Sequence, residues 1–116
     1  MTKKRRAFRV AEKLRSIVAQ ALLFARDERF QLVTISSVRM SSDLHYAKIF
    51  WMVTNPEQRR EIVQAALNEK VGVLRRQVAK DLGTRTVPEL EFIYDDTLDA
   101  IENVERLLHS SESKDS

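Results

Sequence analysis

Apolar residues in the first quarter of the chain recur with the period of an α-helix. They predict a helix over residues 6–25, because side chains spaced three and four positions apart share one helix face. The polar positions Arg9, Lys13, Ser16 and Gln20 fall on a different face, so we expect the basic side chains among them to stay in water. The apolar face comprises Val10, Leu14, Ile17, Val18, Ala21 and Ala25.

Two stretches with β-strand character follow. Residues 32–40 are rich in β-branched side chains, and their alternation slips at Ser36 and Ser37, which predicts a β-bulge. Residues 44–53 predict a second strand that pairs with the first as an antiparallel hairpin. Its two faces are Ala47, Ile49, Trp51 and Val53 on one side, and Tyr46, Lys48, Phe50 and Met52 on the other.

A long apolar stripe predicts a helix over residues 56–82. Thr54 or Asn55 can cap it, and Pro56 suits its first position. Gly72 lies inside the stripe, which predicts a kink or a close approach to the backbone; a tolerated helical glycine is an equally weighted alternative. Gly83 is placed to end the helix. The stripe consists of Val63, Leu67, Val71, Leu74, Val78 and Leu82.

The last elements are a strand over residues 89–94 and a helix that ends at about residue 109. Residues 110–116 are Ser-rich and charged, and they predict a disordered tail. The order of elements predicts one α+β domain over residues 1–109, with its helices on one face of a small sheet.

Composition narrows the class of protein. A length of 116 residues fits one domain, given roughly 100–200 residues per domain. The chain has no cysteine, which excludes disulfides, thiolate metal sites and cysteine nucleophiles. No apolar run approaches the roughly 20 residues of a membrane span, and no signal-peptide pattern follows Met1. We therefore expect a soluble, cytoplasmic protein without a membrane partner.

Charge is unevenly distributed along the chain. Residues 1–16 hold seven basic residues and one acid, and residues 70–85 hold five basic residues and one acid. Residues 95–116 hold seven acids and two bases. Such asymmetry favours a polyanionic partner, although charge alone fits a merely solvated surface equally well.

Little in the sequence supports catalysis. His45 and His109 are far apart and have no second ligand at metal spacing, and Gly72 and Gly83 are the only glycines, so no phosphate-binding glycine loop exists. We expect no cofactor and no metal.

Two polar clusters have ordinary explanations. Ser41, Ser42 and Asp43 are interpreted as a turn, because no base accompanies them. The acids at 95, 96 and 99 fall where a helix begins and suit its dipole, which we favour over a cation site.

Tyr46, Lys48 and Phe50 combine aromatic rings with a base on one strand face, as surfaces that bind single-stranded nucleic acid do. The alternative, slightly favoured here, is that the final helix covers this face.

Four stretches, residues 9–14, 38–50, 72–75 and 85–96, together resemble the ribosome-binding factor A family, whose members assemble the bacterial small ribosomal subunit. The most specific is the last, where Arg85, Pro88, Glu89, Leu90 and Phe92 form an Arg-x-x-Pro-Glu-Leu-x-Phe pattern.

The resemblance implies a type II K-homology fold, in the order α-β-β-α-α-β with a kink, followed here by a C-terminal helix. It implies a non-catalytic protein that binds the small (30S) subunit and its rRNA late in maturation. It further implies assistance in processing the 5′ region of that rRNA, support of growth in the cold, and contact with other assembly factors, including an assembly GTPase. We expect a monomer.

In place of the Gly-x-x-Gly loop of ordinary K-homology domains, the family has an Ala-x-Gly kink, which corresponds here to Lys70-Val71-Gly72. Lysine at the alanine position adds a phosphate contact. The predicted RNA-binding residues are Lys3, Lys4, Arg5, Arg6, Arg9, Lys13, Lys70, Gly72, Arg75, Arg76, Lys80 and Arg85.

Two other functions were weighed. One is a protein–protein adaptor that docks on a ribosomal protein or an assembly enzyme without touching RNA. The other is a hydrolase using Asp43 or the acids at 95–99, which the absence of a catalytic constellation disfavours.

Overall fold

A computed structural model describes residues 2–114 and shows three helices and a three-stranded sheet. Helix α1 spans Lys3–Phe24 and is followed by a short 3-10 turn, Glu28–Phe30. Strands β1 (Val33–Met40) and β2 (Tyr46–Val53) precede helix α2 (Pro56–Asp81). Strand β3 (Glu89–Tyr94) leads into helix α3 (Thr97–Lys114). This confirms the predicted α+β order.

Strand pairing follows the predicted hairpin. β1 and β2 are antiparallel, and their register shifts between Ile35 and Ser37, where the sequence predicted a bulge. β3 joins the other side of β2 in parallel, with Ile49 opposite Phe92. β2 is therefore the central strand, and both of its neighbours are edge strands.

Helices α1 and α2 pack on the same face of the sheet. Leu14, Trp51 and Leu67 are fully buried between these layers. Every buried residue among those the structure describes is apolar, including Pro88, which precedes β3. This arrangement confirms the helices-on-one-face prediction for α1 and α2.

Helix α1 begins earlier than predicted, at Lys3, because the Thr2 hydroxyl accepts a hydrogen bond from the Arg5 backbone N–H and caps it. The face that is buried is rotated slightly about the helix axis from the predicted one, and Ala25 lies outside the helix. The buried residues are Ala7, Ala11, Leu14, Val18 and Leu22.

The structure does not show the predicted break at Gly72. α2 runs without interruption from Pro56 to Asp81, and of the two glycines it is Gly83, just past the end of the helix, that has a left-handed backbone, with φ of 74°. Nothing lies within 4 Å of a Cβ built on Gly72. Gly72 is thus the tolerated helical glycine of the alternative interpretation, because the apolar stripe keeps its register on both sides of it.

The opposite face of the sheet is uncovered, which corrects the favoured interpretation that the final helix packs on it. Tyr46 is 64% exposed, and the apolar residues of α3 from Leu98 to Leu108 are all 50–69% exposed. We call this surface the open face. Its side chains, which alternate with the buried ones, are Thr34, Ser37, Arg39, Tyr46, Lys48, Phe50, Met52, Glu89, Glu91 and Ile93.

Helix α3 continues to Lys114, past the end predicted at about residue 109 and into the segment predicted as a disordered tail. Residues 115 and 116 of that segment lie outside the described residues.

Candidate nucleic-acid interface

The amino-terminal half of α1 presents its positive charges to water. Lys3, Lys4, Arg5, Arg6, Arg9 and Lys13 are all exposed, as the sequence predicted. The only acid in this half, Glu12, lies 3.3 Å from the guanidinium of Arg15. This half of the helix therefore presents an array of cations, and its one acid, Glu12, forms an ion pair with Arg15.

An aromatic side chain stands among these cations. Phe8 is 67% exposed and lines a shallow depression with Lys4, Arg5 and Arg9. The sequence-based candidates did not include it, although a phenylalanine that falls off the apolar face of a basic helix is a usable signal. Exposed aromatic rings flanked by cations are the elements with which proteins hold unpaired nucleotides.

The fold brings the two basic segments of the sequence together. Lys3 and Arg6 of α1 line one cleft of about 250 Å³ with Arg85, which follows α2. The floor of the cleft includes Ser42 and Asp43 of the hairpin turn. This end of the molecule thus gathers cations from positions 3 to 85 around one concave surface.

The antiparallel approach of α1 and α2 explains the juxtaposition. A Cβ built on Gly83 would lie 3.9 Å from the Nζ of Lys13, so the basic half of α1 lies beside the carboxyl end of α2. The dipole of α2 is negative at that end and favours cations there.

Arg75 has an internal role. Its guanidinium donates hydrogen bonds of 3.1 Å to the carbonyls of Val87 and Pro88, and it lies 3.5 Å from Glu89. These contacts fasten the segment before β3 to α2. Its donors are directed at this protein's own backbone.

Lys70 lies toward the other end of the molecule from Arg6 and Arg85. It lines a groove with Phe24 and Phe30, and it helps lower the pKa of Asp27. Gly72 is exposed near the middle of α2, and Arg76 and Lys80 are exposed one turn apart. The structure therefore separates Lys70 from the cleft.

Near Lys70, an ion cluster holds the 3-10 turn against α2. Arg29 donates a 2.6 Å hydrogen bond to Asp27 and lies 2.7 Å from Glu69. The hydrogen bonds from Arg29 lower the pKa of Asp27 to about 2. Arg29 thus joins two elements of the fold.

The polar clusters that could suggest catalysis form turn and cap contacts and, at Asp95, a contact with the bulge of β1. The Ser41 hydroxyl donates a 2.7 Å hydrogen bond to Asp43, which also accepts from the His45 backbone N–H. Asp95 accepts a 2.7 Å hydrogen bond from the Ser36 hydroxyl and another from the Thr97 backbone N–H. Within residues 2–114 no group of three or more His, Asp or Glu side chains is placed to hold a metal ion.

None of the helices in the described part of the chain is both long enough and apolar enough to cross a membrane.

The chain is similar to known proteins in its family pattern, its sequence and its fold. A family model described as ribosome-binding factor A matches residues 6–108. The ribosome-binding factor A of Dichelobacter nodosus is 37% identical over 117 aligned positions, which cover 95% of each chain. That of Micrococcus luteus is 32% identical over 111 positions, which cover 95% of this chain and 75% of the relative.

Solved structures share the fold. The crystal structure of ribosome-binding factor A from Thermus thermophilus superposes with a TM-score of 0.69 at 24% identity, covering 76% of this chain and 94% of that one. The solution structure of a Thermotoga maritima protein, described as a putative ribosome binding factor A, gives 0.68 at 30% identity over 80% and 90% of the two chains. The family match, the relatives and the shared fold lead to one conclusion: the chain belongs to the ribosome-binding factor A family.

Proposed function

We propose that this protein is a non-catalytic assembly factor that binds the small ribosomal subunit through its rRNA. The observation that carries the proposal is the cleft at which Lys3, Arg6 and Arg85 converge. The exposed ring of Phe8 lies among other cations of α1, Lys4, Arg5 and Arg9. A homology model of the Thermus thermophilus relative, fitted into a cryo-electron-microscopy map of a 30S complex, supports the choice of the small subunit.

The chemistry of this surface suits a folded RNA. Lysine and arginine side chains contact phosphates and supply affinity without reading sequence. A concave basic surface selects by the shape of the RNA, and an exposed aromatic ring elsewhere on α1 selects unpaired bases. A partly matured subunit offers both features, and the acidic helix α3 lies outside the contact.

Partition among ribosomal particles tests the choice of partner. The full chain is sedimented with purified small subunits, large subunits and translating ribosomes at about 0.1 M salt, where charge screening is moderate. We expect the protein to follow free small subunits and to leave the other two particles. Equal partition among all three would reduce the interaction to nonspecific polyanion binding and overturn the proposal.

We further propose that the bound factor assists processing of the 5′ region of the small-subunit rRNA and supports growth in the cold. In this proposal it acts in the cytoplasm as a monomer, together with other assembly factors that include a GTPase. Cells that lack the protein should accumulate small-subunit rRNA with an unprocessed 5′ end, most strongly at low temperature. Normal 5′ ends in such cells would contradict this role.

A protein–protein adaptor is the second candidate, favoured by the exposed apolar residues of α3. The salt dependence of subunit binding distinguishes the two functions. Binding to RNA weakens steeply as salt rises because counterions are released on binding, whereas a mainly apolar protein interface responds little.

A further inference from the structure

Two adjoining surfaces that carry exposed apolar side chains lack a covering layer. One is the stripe on α3, whose members are Leu98, Ile101, Val104, Leu107 and Leu108. The other is the open face, where Phe50, Met52 and Ile93 are only partly covered. Contiguous exposed apolar surface of this kind marks an interaction site.

The first turn of α3 already lies at one corner of the open face. Leu98, Asp99 and Glu102 line a single cleft with Thr34 and Met52. Only the two residues between β3 and α3 separate strand from helix, so the helix is tethered at the edge of the surface that it would cover.

The two surfaces have matching lengths. The 18 residues of α3 give about 27 Å of helix at 1.5 Å per residue. Along β2, Met52 and Tyr46 are about 20 Å apart at 3.3 Å per residue. A helix folded back from its present start would therefore run along the whole open face, over Phe50 and toward Tyr46.

The two surfaces also carry opposite charges at one position. Glu102 and Glu105 border the apolar stripe on one side of α3, because residues three and four positions apart share a helix face. The middle of the open face pairs Arg39 with Lys48, and Arg39 lies over the Phe50 ring at 5.9 Å. Because Glu91 of β3 is already opposite Lys48, the base that folding back would bring to the acids of α3 is Arg39.

One contact holds α3 away from that position. The Tyr94 hydroxyl donates a 2.8 Å hydrogen bond to Asp99 in the first turn of α3. The Tyr94 ring packs edge-on against Trp51 with centroids 5.1 Å apart, so it belongs to the side of the sheet that α1 and α2 cover. The hydrogen bond therefore ties the first turn of α3 to a ring that is packed against the core.

We propose that α3 is a lid that closes over the open face of the sheet, and that the hydrogen bond between Tyr94 and Asp99 holds it in the open position described above. Closure covers Tyr46, Phe50 and Met52, so the lid controls whether this surface is available to a partner. The proposal does not depend on ribosome binding.

The overall dimensions provide one readout. The chain has a radius of gyration of 17.2 Å, whereas a compact chain of this length has about 13 Å. Small-angle scattering of Tyr94→Phe and of Asp99→Ala, each of which removes the hydrogen bond, should give a smaller radius than the wild type, moving toward the compact value. Radii for both variants that stay equal to that of an extended wild type would overturn the proposal.

Disulfide cross-linking provides the second readout. Because the natural chain has no cysteine, the introduced pair contains the only thiols in each variant. In Lys48→Cys/Leu108→Cys, the second cysteine lies on the apolar stripe. In the matched control, Lys48→Cys/Arg106→Cys, it lies on the opposite side of α3. We expect the first pair to form an intramolecular disulfide at least tenfold faster, and Tyr94→Phe to increase that rate several-fold.

Two cross-linking results would overturn the lid. Equal rates for the two cysteine pairs would show that the stripe does not face the sheet. A disulfide found only between two chains would show that the occupant of the open face is a second copy. Far-ultraviolet circular dichroism of each variant confirms that the compared chains are folded.

Discussion

The indole nitrogen of Trp51 donates a 3.0 Å hydrogen bond to the side-chain oxygen of Gln64, across the layer between sheet and helix. The amide nitrogen of Gln64 in turn donates a 2.9 Å hydrogen bond to the Phe92 carbonyl. One glutamine of α2 thus satisfies a fully buried indole on β2 and a backbone carbonyl on β3.

Replacing Gln64 should therefore destabilise the fold. Gln64→Leu leaves the indole N–H without its partner, and an unsatisfied buried donor costs about 1–3 kcal/mol. We expect a loss of that size in the free energy of unfolding, measured by urea denaturation. Gln77→Leu is the control, because Gln77 bonds only the exposed Asp81 on the same helix. Equal effects of both changes would contradict the bridging role of Gln64.

The two glycines should respond to alanine with opposite signs. Gly72 is helical with open space around it, so Gly72→Ala should stabilise by up to about 1 kcal/mol. Gly83 has a left-handed backbone, so Gly83→Ala should destabilise by about 1–2 kcal/mol. Urea denaturation of both variants measures the difference. A destabilised Gly72→Ala would restore the case for a break in α2.

Charge reversal at the cleft should weaken subunit binding and flatten its salt dependence. In Arg6→Glu/Arg85→Glu, two predicted phosphate contacts are lost, and the slope of log affinity against log salt should fall by about 2 in magnitude. The control, Arg26→Glu/Arg106→Glu, changes the net charge equally at exposed positions away from the cleft. Binding isotherms at several salt concentrations test this, and an unchanged slope would remove the cleft from the interface.

Phe8 should contribute affinity without contributing salt dependence. Stacking on an unpaired base is worth about 1–3 kcal/mol, so Phe8→Ala should weaken binding by that amount, while Phe8→Trp should retain it. Leu23→Ala is the control, since Leu23 is another exposed apolar residue on α1, outside its basic half. If Phe8→Ala binds as tightly as the wild type, the ring does not stack on RNA.

Tyr94 should titrate late. Burial, assisted by the hydrogen bond to Asp99, raises its pKa to about 12. The folded pKa lies above the ordinary value of 10.0, so the folded state favours the protonated phenol. The contribution of Tyr94 to the free energy of unfolding is therefore complete below pH 10 and is lost as the pH rises toward 12.

The ultraviolet absorbance of the phenolate can be followed in Tyr46→Phe, which leaves Tyr94 as the only tyrosine. Adding Asp99→Asn should lower the pKa of Tyr94, because the neighbouring negative charge is removed while the burial remains. An identical titration in both variants would exclude Asp99 as a cause of the shift.

Local sequence patterns predicted most of the fold. The stripe from Val63 to Leu82 and the alternation in β2 correctly identified buried positions, because each element has one face against the same core. The bulge at Ser36 was visible as a slip in that alternation.

What the sequence could not provide was the relation between elements. An amphipathic pattern shows that α3 has an apolar face, but it does not say whether the covering surface is in this chain. Likewise, charge counts identified Arg6 and Arg85, whereas their convergence depends on how α1 packs against α2. In the sequence, Arg75 cannot be distinguished from its basic neighbours. The structure shows that its guanidinium donates hydrogen bonds to the carbonyls of Val87 and Pro88.

The mixed pairing of the central strand also sets an order for folding. The connection between β1 and β2 has five residues, whereas β2 and β3 are joined through the 35 residues from 54 to 88. Closing the longer connection costs about 2 kcal/mol more chain entropy on a flexible-loop scale. The hairpin therefore forms first and serves as the template to which β3, the last strand to leave the ribosome during synthesis, is added.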